Sequence, residues 1–231
     1  MHQKRLSAKE SHPIKKKIKN RFVICPRPGP HRKDYSIPLA ALLRDVIGYC
    51  ENTREAKGII KEGKIMVDGK VRKDHKYPVG IFDVVSIPDI KESYVLTQGE
   101  KWLGVSKPDK ENMKICRIEN KRKVAGGKTQ LNLHDGKNIL VDKDDYNTGD
   151  SLMLDIPGLK IKKHIQRKKG SLCLIFKGSN KGKVGKLKEI KKSIGSRPNQ
   201  VSIEINQKTV DIPEKFIFVI GEKTPEIKLG E

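Results

Sequence analysis

The residues in this sequence that carry chemistry are cations and glycines at repeated short spacings. Arg54, Lys57 and Lys61 recur at three- and four-residue steps, so on a helix they share one face. Lys64, Lys70, Arg72 and Lys73 follow closely behind them. A second group, Lys181, Lys183 and Lys186, alternates with Gly178, Gly182 and Gly185. A third, Lys4, Arg5, Lys15, Lys16 and Lys17, lies near the N-terminus. Ammonium and guanidinium groups supply fixed positive charge, and glycine removes the side chain where a backbone must approach phosphate closely. This is chemistry for holding a polyanion, not for breaking a bond.

Signals of catalysis fail one by one. A nucleotide-cradling loop needs G-x-x-x-x-G-K-[ST]. The stretch Gly178 to Lys183 is one residue short and is followed by Val184, while Gly127-Lys128-Thr129 has Arg122 where the first glycine belongs. The six histidines, at positions 2, 12, 31, 75, 134 and 164, show no metal or triad spacing. His134-Asp135 beside Gly136 reads as a turn. Cys25, Cys50, Cys116 and Cys173 stand singly among apolar neighbours, which fits reduced, mostly buried thiols rather than a zinc site or a disulfide framework. No catalytic residue, metal ligand, cofactor or small-molecule substrate is expected.

Composition points the same way. The 231 residues carry 50 Lys and Arg against 28 Asp and Glu, a formal charge of +22. Charge of that size opposes compaction unless a polyanion neutralises it, and nucleic acid gains affinity by counterion release when it does so. A membrane surface is the rival polyanion, but it calls for an amphipathic anchor with large apolar residues, and none is found. No apolar run approaches the ~20 residues of a transmembrane helix, and the first residues, MHQKRLSAKE, lack the apolar core of a signal peptide. Only 35% of residues are hydrophobic and 5% aromatic. Several thin modules suit that composition better than one thick core.

Local patterns supply the elements that must position these cations. Asn52 can cap a helix, Glu55 can reach back to it and Gly63 can stop it, with Ala56, Ile59 and Ile60 on the wall opposite the basic stripe. Ile65-Met66-Val67, Asp68-Gly69 and Lys70-Val71-Arg72 read as a tight hairpin, and Pro78 and Gly80 introduce a last strand, Ile81 to Ile87. Upstream, Ser36 to Cys50 reads as a helix capped by Ser36, with Pro38 in its first turn and Leu39, Leu42, Leu43, Val46 and Ile47 on one face.

Met1 to Lys33 holds eleven Lys and Arg against one acid, Glu10. It cannot form a core of its own and reads as an arm for nucleic-acid grooves, with Phe22 and Ile24 docking its end on protein. From Pro88 to about Gln166 short strand patterns take over: Tyr94 to Leu96, Trp102 to Val105, Met113 to Ile118, Gln130 to Leu133 and Asn138 to Val141. Acids gather from Asp135 to Asp155, so this face is expected to lie away from nucleic acid. Trp102 could stack on a base, but packing is the expectation for a lone Trp. Gly170 to Leu187 then reads as strand, glycine-rich basic turn and strand, followed by strands at Val201 to Ile205, Lys208 to Ile212 and Phe216 to Ile220.

The order helix, glycine, strand, V-D-G-K turn and closing strand over Asn52 to Ile87 resembles the alpha-L, or S4-like, RNA-binding module. G-S-N-K-G-K-V-G-K at 178–186 resembles the KOW motif. Together with K-R-L-S-A, P-R-P-G-P-H, L-N-L-H-D-G-K-N-I-L-V and F-V-I-G, these stretches resemble the S4e family of archaeal and eukaryotic small-ribosomal-subunit proteins from about Lys4 to Gly221. The resemblance implies an α+β, multi-module chain. Its parts would be a basic N-terminal extension (1–35), an alpha-L module (36–88), a central β-domain (89–166), an SH3-like KOW barrel (167–221) and a tail (222–231). It implies a non-catalytic cytoplasmic protein of the small subunit, whose partners are small-subunit ribosomal RNA and neighbouring ribosomal proteins, with no membrane. Two alternatives stay open: an RNA-modifying enzyme that carries an alpha-L module, and a free transcription or translation factor with a KOW domain.

Overall fold

The computed structural model describes residues 3–8, 12, 22–100, 102–108, 112–193, 198–222 and 224–227. The chain divides into two compact units, Met1–Lys114 with Leu229–Glu231, and Ile115–Lys228.

In the first unit, β1 (Gln3–Lys4) pairs antiparallel with β2 (Phe22–Val23). β3 (Ser36–Pro38) pairs with β6 (Pro78–Gly80). Between them an α-helical turn, α1 (Leu39–Ala41), runs into a π-helical stretch, Leu42–Ile47, that ends on Gly48 at φ 77°. Ser36 therefore does not cap this helix as its position predicts. It lies in β3, and its hydroxyl donates to the Arg32 carbonyl at 3.0 Å. The orphan N–H groups of Leu39 and Ala40 are satisfied from a distance in sequence, by the carbonyls of Tyr77 (2.9 Å) and His75 (3.1 Å).

The helix α2 (Thr53–Glu62) follows the sequence closely. Asn52 Oδ1 accepts from the N–H groups of Arg54 and Glu55 at 3.0 and 2.9 Å, and Gly63 ends the helix at φ 82°. Glu55 reaches back one residue further than expected, to the Glu51 N–H. Ala56 and Ile60 are buried, with the core of Ile37, Leu39, Leu42, Leu43, Ile65 and Val67.

The hairpin β4 (Met66–Val67) and β5 (Lys70–Val71) turns at Asp68-Gly69, both at positive φ (50° and 71°), the pair that a type I′ turn requires. The run Ile81 to Ile87 is not one strand. Phe82 turns left-handed at φ 64° and Asp83 accepts the Gly80 N–H, so only β7 (Val84–Ile87) is extended. β8 (Glu92–Gln98) and β9 (Leu103–Ser106) then complete a sheet of order β5-β4-β7-β8-β9. Both strands were expected in the central β-domain. Instead β8 hydrogen-bonds to β7 from Val84–Val95 through Ile87–Glu92, so the first compact unit runs on past the expected boundary at 88.

The second unit holds two five-stranded antiparallel sheets. β10 (Met113–Lys123), in which the chain passes between units, β11 (Thr129–Leu133), β12 (Asn138–Val141), β13 (Ser151–Asp155) and β14 (Ile161–Ile165) form the order β12-β11-β10-β13-β14. Cys116, Ile118, Leu131, Leu133, Leu152 and Leu154 make its core. β15 (Leu172–Ile175), β16 (Val184–Lys191), β17 (Gln200–Ile205), β18 (Lys208–Pro213) and β19 (Ile217–Gly221) form the order β18-β17-β16-β15-β19.

Candidate nucleic-acid interface

On α2 the two sides separate as the spacing predicts. Arg54, Lys57 and Lys61 are exposed, opposite buried Ala56 and Ile60. Lys70 and Lys73, on and beyond the β4–β5 hairpin, are exposed too. None of these five makes a salt bridge among the described residues, so their charge remains for a partner. Two other expected contacts are engaged already. Lys64 Nζ lies 2.8 Å from Glu62, which raises its pKa by hydrogen bond and charge. The Arg72 guanidinium is half-buried and stacks 4.5 Å from the centre of the Tyr77 ring, a cation–π contact that fixes its plane.

The glycine-rich turn joins β15 to β16. Gly178 and Gly182 have φ of 94° and 84°, and the Gly182 N–H donates to Ile175 O at 2.7 Å. Turn geometry alone therefore needs these two glycines. Lys183 and Lys186 are exposed and Lys181 is half-buried. Gly185 does different work. It is buried in β16, where an added Cβ would lie 2.4 Å from Ile203 Cγ2 and 2.6 Å from the Glu204 carbonyl. It lets β17 pack closely and does not face outward for phosphate. Lys4 is exposed in β1 and Arg5 half-buried after it. Lys15, Lys16 and Lys17 lie outside the described residues.

Three features escaped the sequence. Lys114 is wholly buried, its Nζ 2.7 Å from Asp68 Oδ2 and 2.5 Å from Asp83 Oδ1, and His31 Nε2 lies 2.9 Å from Asp83 Oδ2. Burial pushes the Asp83 carboxyl up, but His31 and Lys114 more than reverse this and hold it well below the usual carboxylate range. In the second unit, buried Arg117 donates from Nη1 to Ile217 O (2.6 Å) and Lys215 O (3.2 Å), pairs with Glu119, and lies over the Phe176 and Phe218 rings. It ties that unit's two sheets together. Trp102, expected to pack, is 44% exposed.

Two further clusters do not read as reactive sites. Cys116, His134 and Asp135 bring a thiol, an imidazole and a carboxylate within 4.8 Å of one another. Lys137 Nζ lies 3.3 Å from Asp135 Oδ2, and His134 Nδ1 accepts the Arg117 N–H at 3.3 Å, which accords with the turn inferred from His134-Asp135-Gly136. A cleft of about 370 Å³ in the second unit is lined by Arg117, Glu119, Arg167 and Glu214 among others. Its guanidiniums are already paired, Arg117 with Glu119 and Arg167 with Glu214. Of the gathered acids, Asp150 has structural partners as well: it accepts from His164 Nε2 (2.8 Å) and the Arg167 N–H (2.9 Å).

Comparison with known proteins settles the family. The S4 domain model matches residues 38–85, and the model of ribosomal family S4e matches 87–161. The chain is 42% identical to small ribosomal subunit protein eS4 of Archaeoglobus fulgidus over 100% of this chain and 98% of that one. It is 40% identical to the eS4 protein of Methanocaldococcus jannaschii, over 99% and 97% of the two chains. The chain belongs to the ribosomal S4e family. The solved structure of the 30S ribosomal protein S4e from Thermoplasma acidophilum matches with a TM-score of 0.70 and 29% identity, covering 82% of this chain and 96% of that one. Within this S4e chain the S4-domain match takes in α2 and the β4–β5 hairpin, so all seven expected cations from Arg54 to Lys73 fall inside it. Among the described residues no helix is long and apolar enough to cross a membrane.

Proposed function

We propose that this S4e-family chain is a non-catalytic structural constituent of the small ribosomal subunit, acting in translation by holding small-subunit ribosomal RNA and neighbouring ribosomal proteins. The observation that carries this reading is the exposed, unneutralised set Arg54, Lys57, Lys61, Lys70 and Lys73 on a rigid S4-type helix and hairpin. The helix core fixes one wall, so the backbone that carries the cations is preformed and the ordering left for binding is that of their side chains. RNA duplexes offer phosphates and 2′-hydroxyls to such a surface, and recognition is by shape and backbone more than by base edges. Arg72, held against Tyr77, would keep a planar donor fork at the edge of that surface.

Two further grips complete the reading. The sheet β18-β17-β16-β15-β19 would be an SH3-like KOW barrel, with Lys181, Lys183 and Lys186 meeting phosphate at its glycine-rich turn. The N-terminal segment would contribute Lys4, Arg5, Lys15, Lys16 and Lys17. The family and the full-length relatives favour the ribosomal role over an RNA-modifying enzyme or a free factor.

The test is salt dependence. Each neutralised phosphate contributes about 0.7–0.9 to the slope of log affinity against log salt. Neutralising Arg54, Lys57 and Lys61 together to glutamine is expected to flatten that slope by about 2–3 for a small-subunit RNA fragment. An unchanged slope would remove this face of α2 from the RNA contact.

A further inference from the structure

The strand β14 is an edge of its sheet, since the order β12-β11-β10-β13-β14 gives it β13 as its one neighbour there. Its pairing with β13 slips between Met153 and Leu154. Ile161 stands opposite Leu154 and Lys163 opposite Met153, which leaves Lys162 with no residue facing it. A bulge of this kind re-aims side chains at a sheet edge, and Lys162 and Lys163 are both exposed. Lys160, just before the strand, is exposed as well. Lys163 Nζ is taken by Glu226 at 2.6 Å, whereas Lys160 and Lys162 make no salt bridge among the described residues.

Beyond β14 the chain closes into a turn. The Lys168 N–H donates to Gln166 O at 3.0 Å, the Ser171 N–H to Lys168 O at 3.1 Å, and the buried Ser171 Oγ to Gln166 O at 3.2 Å. The Gly170 N–H donates to Leu187 O at 2.7 Å and the Leu187 N–H to Ser171 O at 3.0 Å, which pins the turn to β16 next to Lys186. Lys168 and Lys169 stand exposed on this fixed backbone, again without a salt bridge among the described residues.

The gathered acids of the domain do not offset these cations. Asp135, Asp142 and Asp144 pair with Lys137, Lys128 and Lys121, and Asp150 is held by His164 and the Arg167 N–H. Asp142 follows β12, at the opposite edge of the sheet from β14. The sequence holds no acid between Asp155 and Glu189.

We propose that the β14 edge and the Gln166–Ser171 turn form a further RNA-backbone surface, with Lys160, Lys162, Lys168 and Lys169 as its phosphate contacts. The surface adjoins Lys186 of the glycine-rich turn and rests on the RNA-binding function proposed above. Its occupant is RNA because a protein interface is built around an apolar centre. Here Ile161 packs into the sheet's core and Ile165 is buried, so the cations have no exposed large apolar residue between them. Lysines also keep sheet edges from pairing with other chains. That role accounts for Lys162 but not for Lys168 and Lys169, which stand beyond the strand.

The test uses the full chain and a small-subunit ribosomal RNA fragment. Lys160→Gln, Lys162→Gln, Lys168→Gln and Lys169→Gln together should flatten the slope of log affinity against log salt by about 3. A control removes the same charge from lysines that already have acidic partners, namely Lys107, Lys128, Lys188 and Lys191, and should flatten it by less than about 1. Where the first variant aggregates, lysine acylation of the unmodified chain replaces it, and RNA should protect Lys168 and Lys169. Equal flattening by both variants, or no protection, would overturn the surface. So would an unchanged slope accompanied by aggregation or by loss of a neighbouring ribosomal protein, which would make the lysines an edge guard or a protein contact. All of these leave the RNA reading intact; failure of the unmodified chain to bind the RNA in a salt-dependent way would sink that reading itself.

Discussion

Replacing Lys114 with methionine tests the buried charge cluster of the first unit. The ammonium is 0% exposed and touches two carboxylates, Asp68 at 2.7 Å and Asp83 at 2.5 Å. Methionine fills much of the same volume, so the cavity contribution is small and the electrostatic one dominates. What remains is a pair of buried carboxylates facing a single histidine. Removing one partner from a buried ion pair costs about 3–5 kcal/mol, because the charge left behind has neither water nor a counter-ion. Against a typical domain stability of about 5–15 kcal/mol, that is a large fraction. Urea denaturation, followed by a probe in the first unit such as Trp102 fluorescence, would measure it.

The pH dependence carries a sign of its own. The folded Asp83 carboxyl titrates lower than the unfolded one. Its contribution is therefore complete above the unfolded pKa of about 4 and is lost as acid protonates it. The native chain should lose first-unit stability as pH falls below about 4. In Lys114→Met the charges that depress Asp83 are reduced, so that acid-side loss should shrink. A destabilisation under about 1 kcal/mol, the range of an exposed pair, with an unchanged acid limb, would refute the cluster as described.

Two other substitutions probe local claims. Gly185→Ala overpacks the β16–β17 contact and should cost the second unit about 1–3 kcal/mol in thermal or urea unfolding; a neutral result would mean that Ile203 and Glu204 give way. Asn52→Ala removes the acceptor for two N–H groups of α2 and should cost about 0.5–2 kcal/mol. Its RNA affinity should fall only as far as helix fraying carries Arg54 with it, so melting and binding measured together separate cap from contact.

Much of this candidate interface was legible because its determinants are local. Asn52, Gly63 and the Asp68-Gly69 turn each act within a few residues, and the 3.6-residue period puts Arg54, Lys57 and Lys61 on one face. Ser36 misled because cap chemistry also suits a strand, and carbonyls of Tyr77 and His75 took the role that the cap would have filled. The membership of β8 and β9 could not be read either, since alternation shows a strand but not its neighbour. Lys114, Asp68, Asp83 and His31 are far apart in sequence, and each alone resembles an ordinary surface residue. Gly185 sits in the same glycine–lysine rhythm as Gly178 and Gly182, yet only the close approach of β17 distinguishes it.

The most direct measurement is sedimentation of a cell extract at physiological salt, with the chain quantified across the gradient. A structural constituent of the small subunit should travel with 30S-type particles at about one copy per particle and leave little free pool. A mainly free pool, or a sub-stoichiometric share that salt strips away before other subunit proteins, would contradict the ribosomal role.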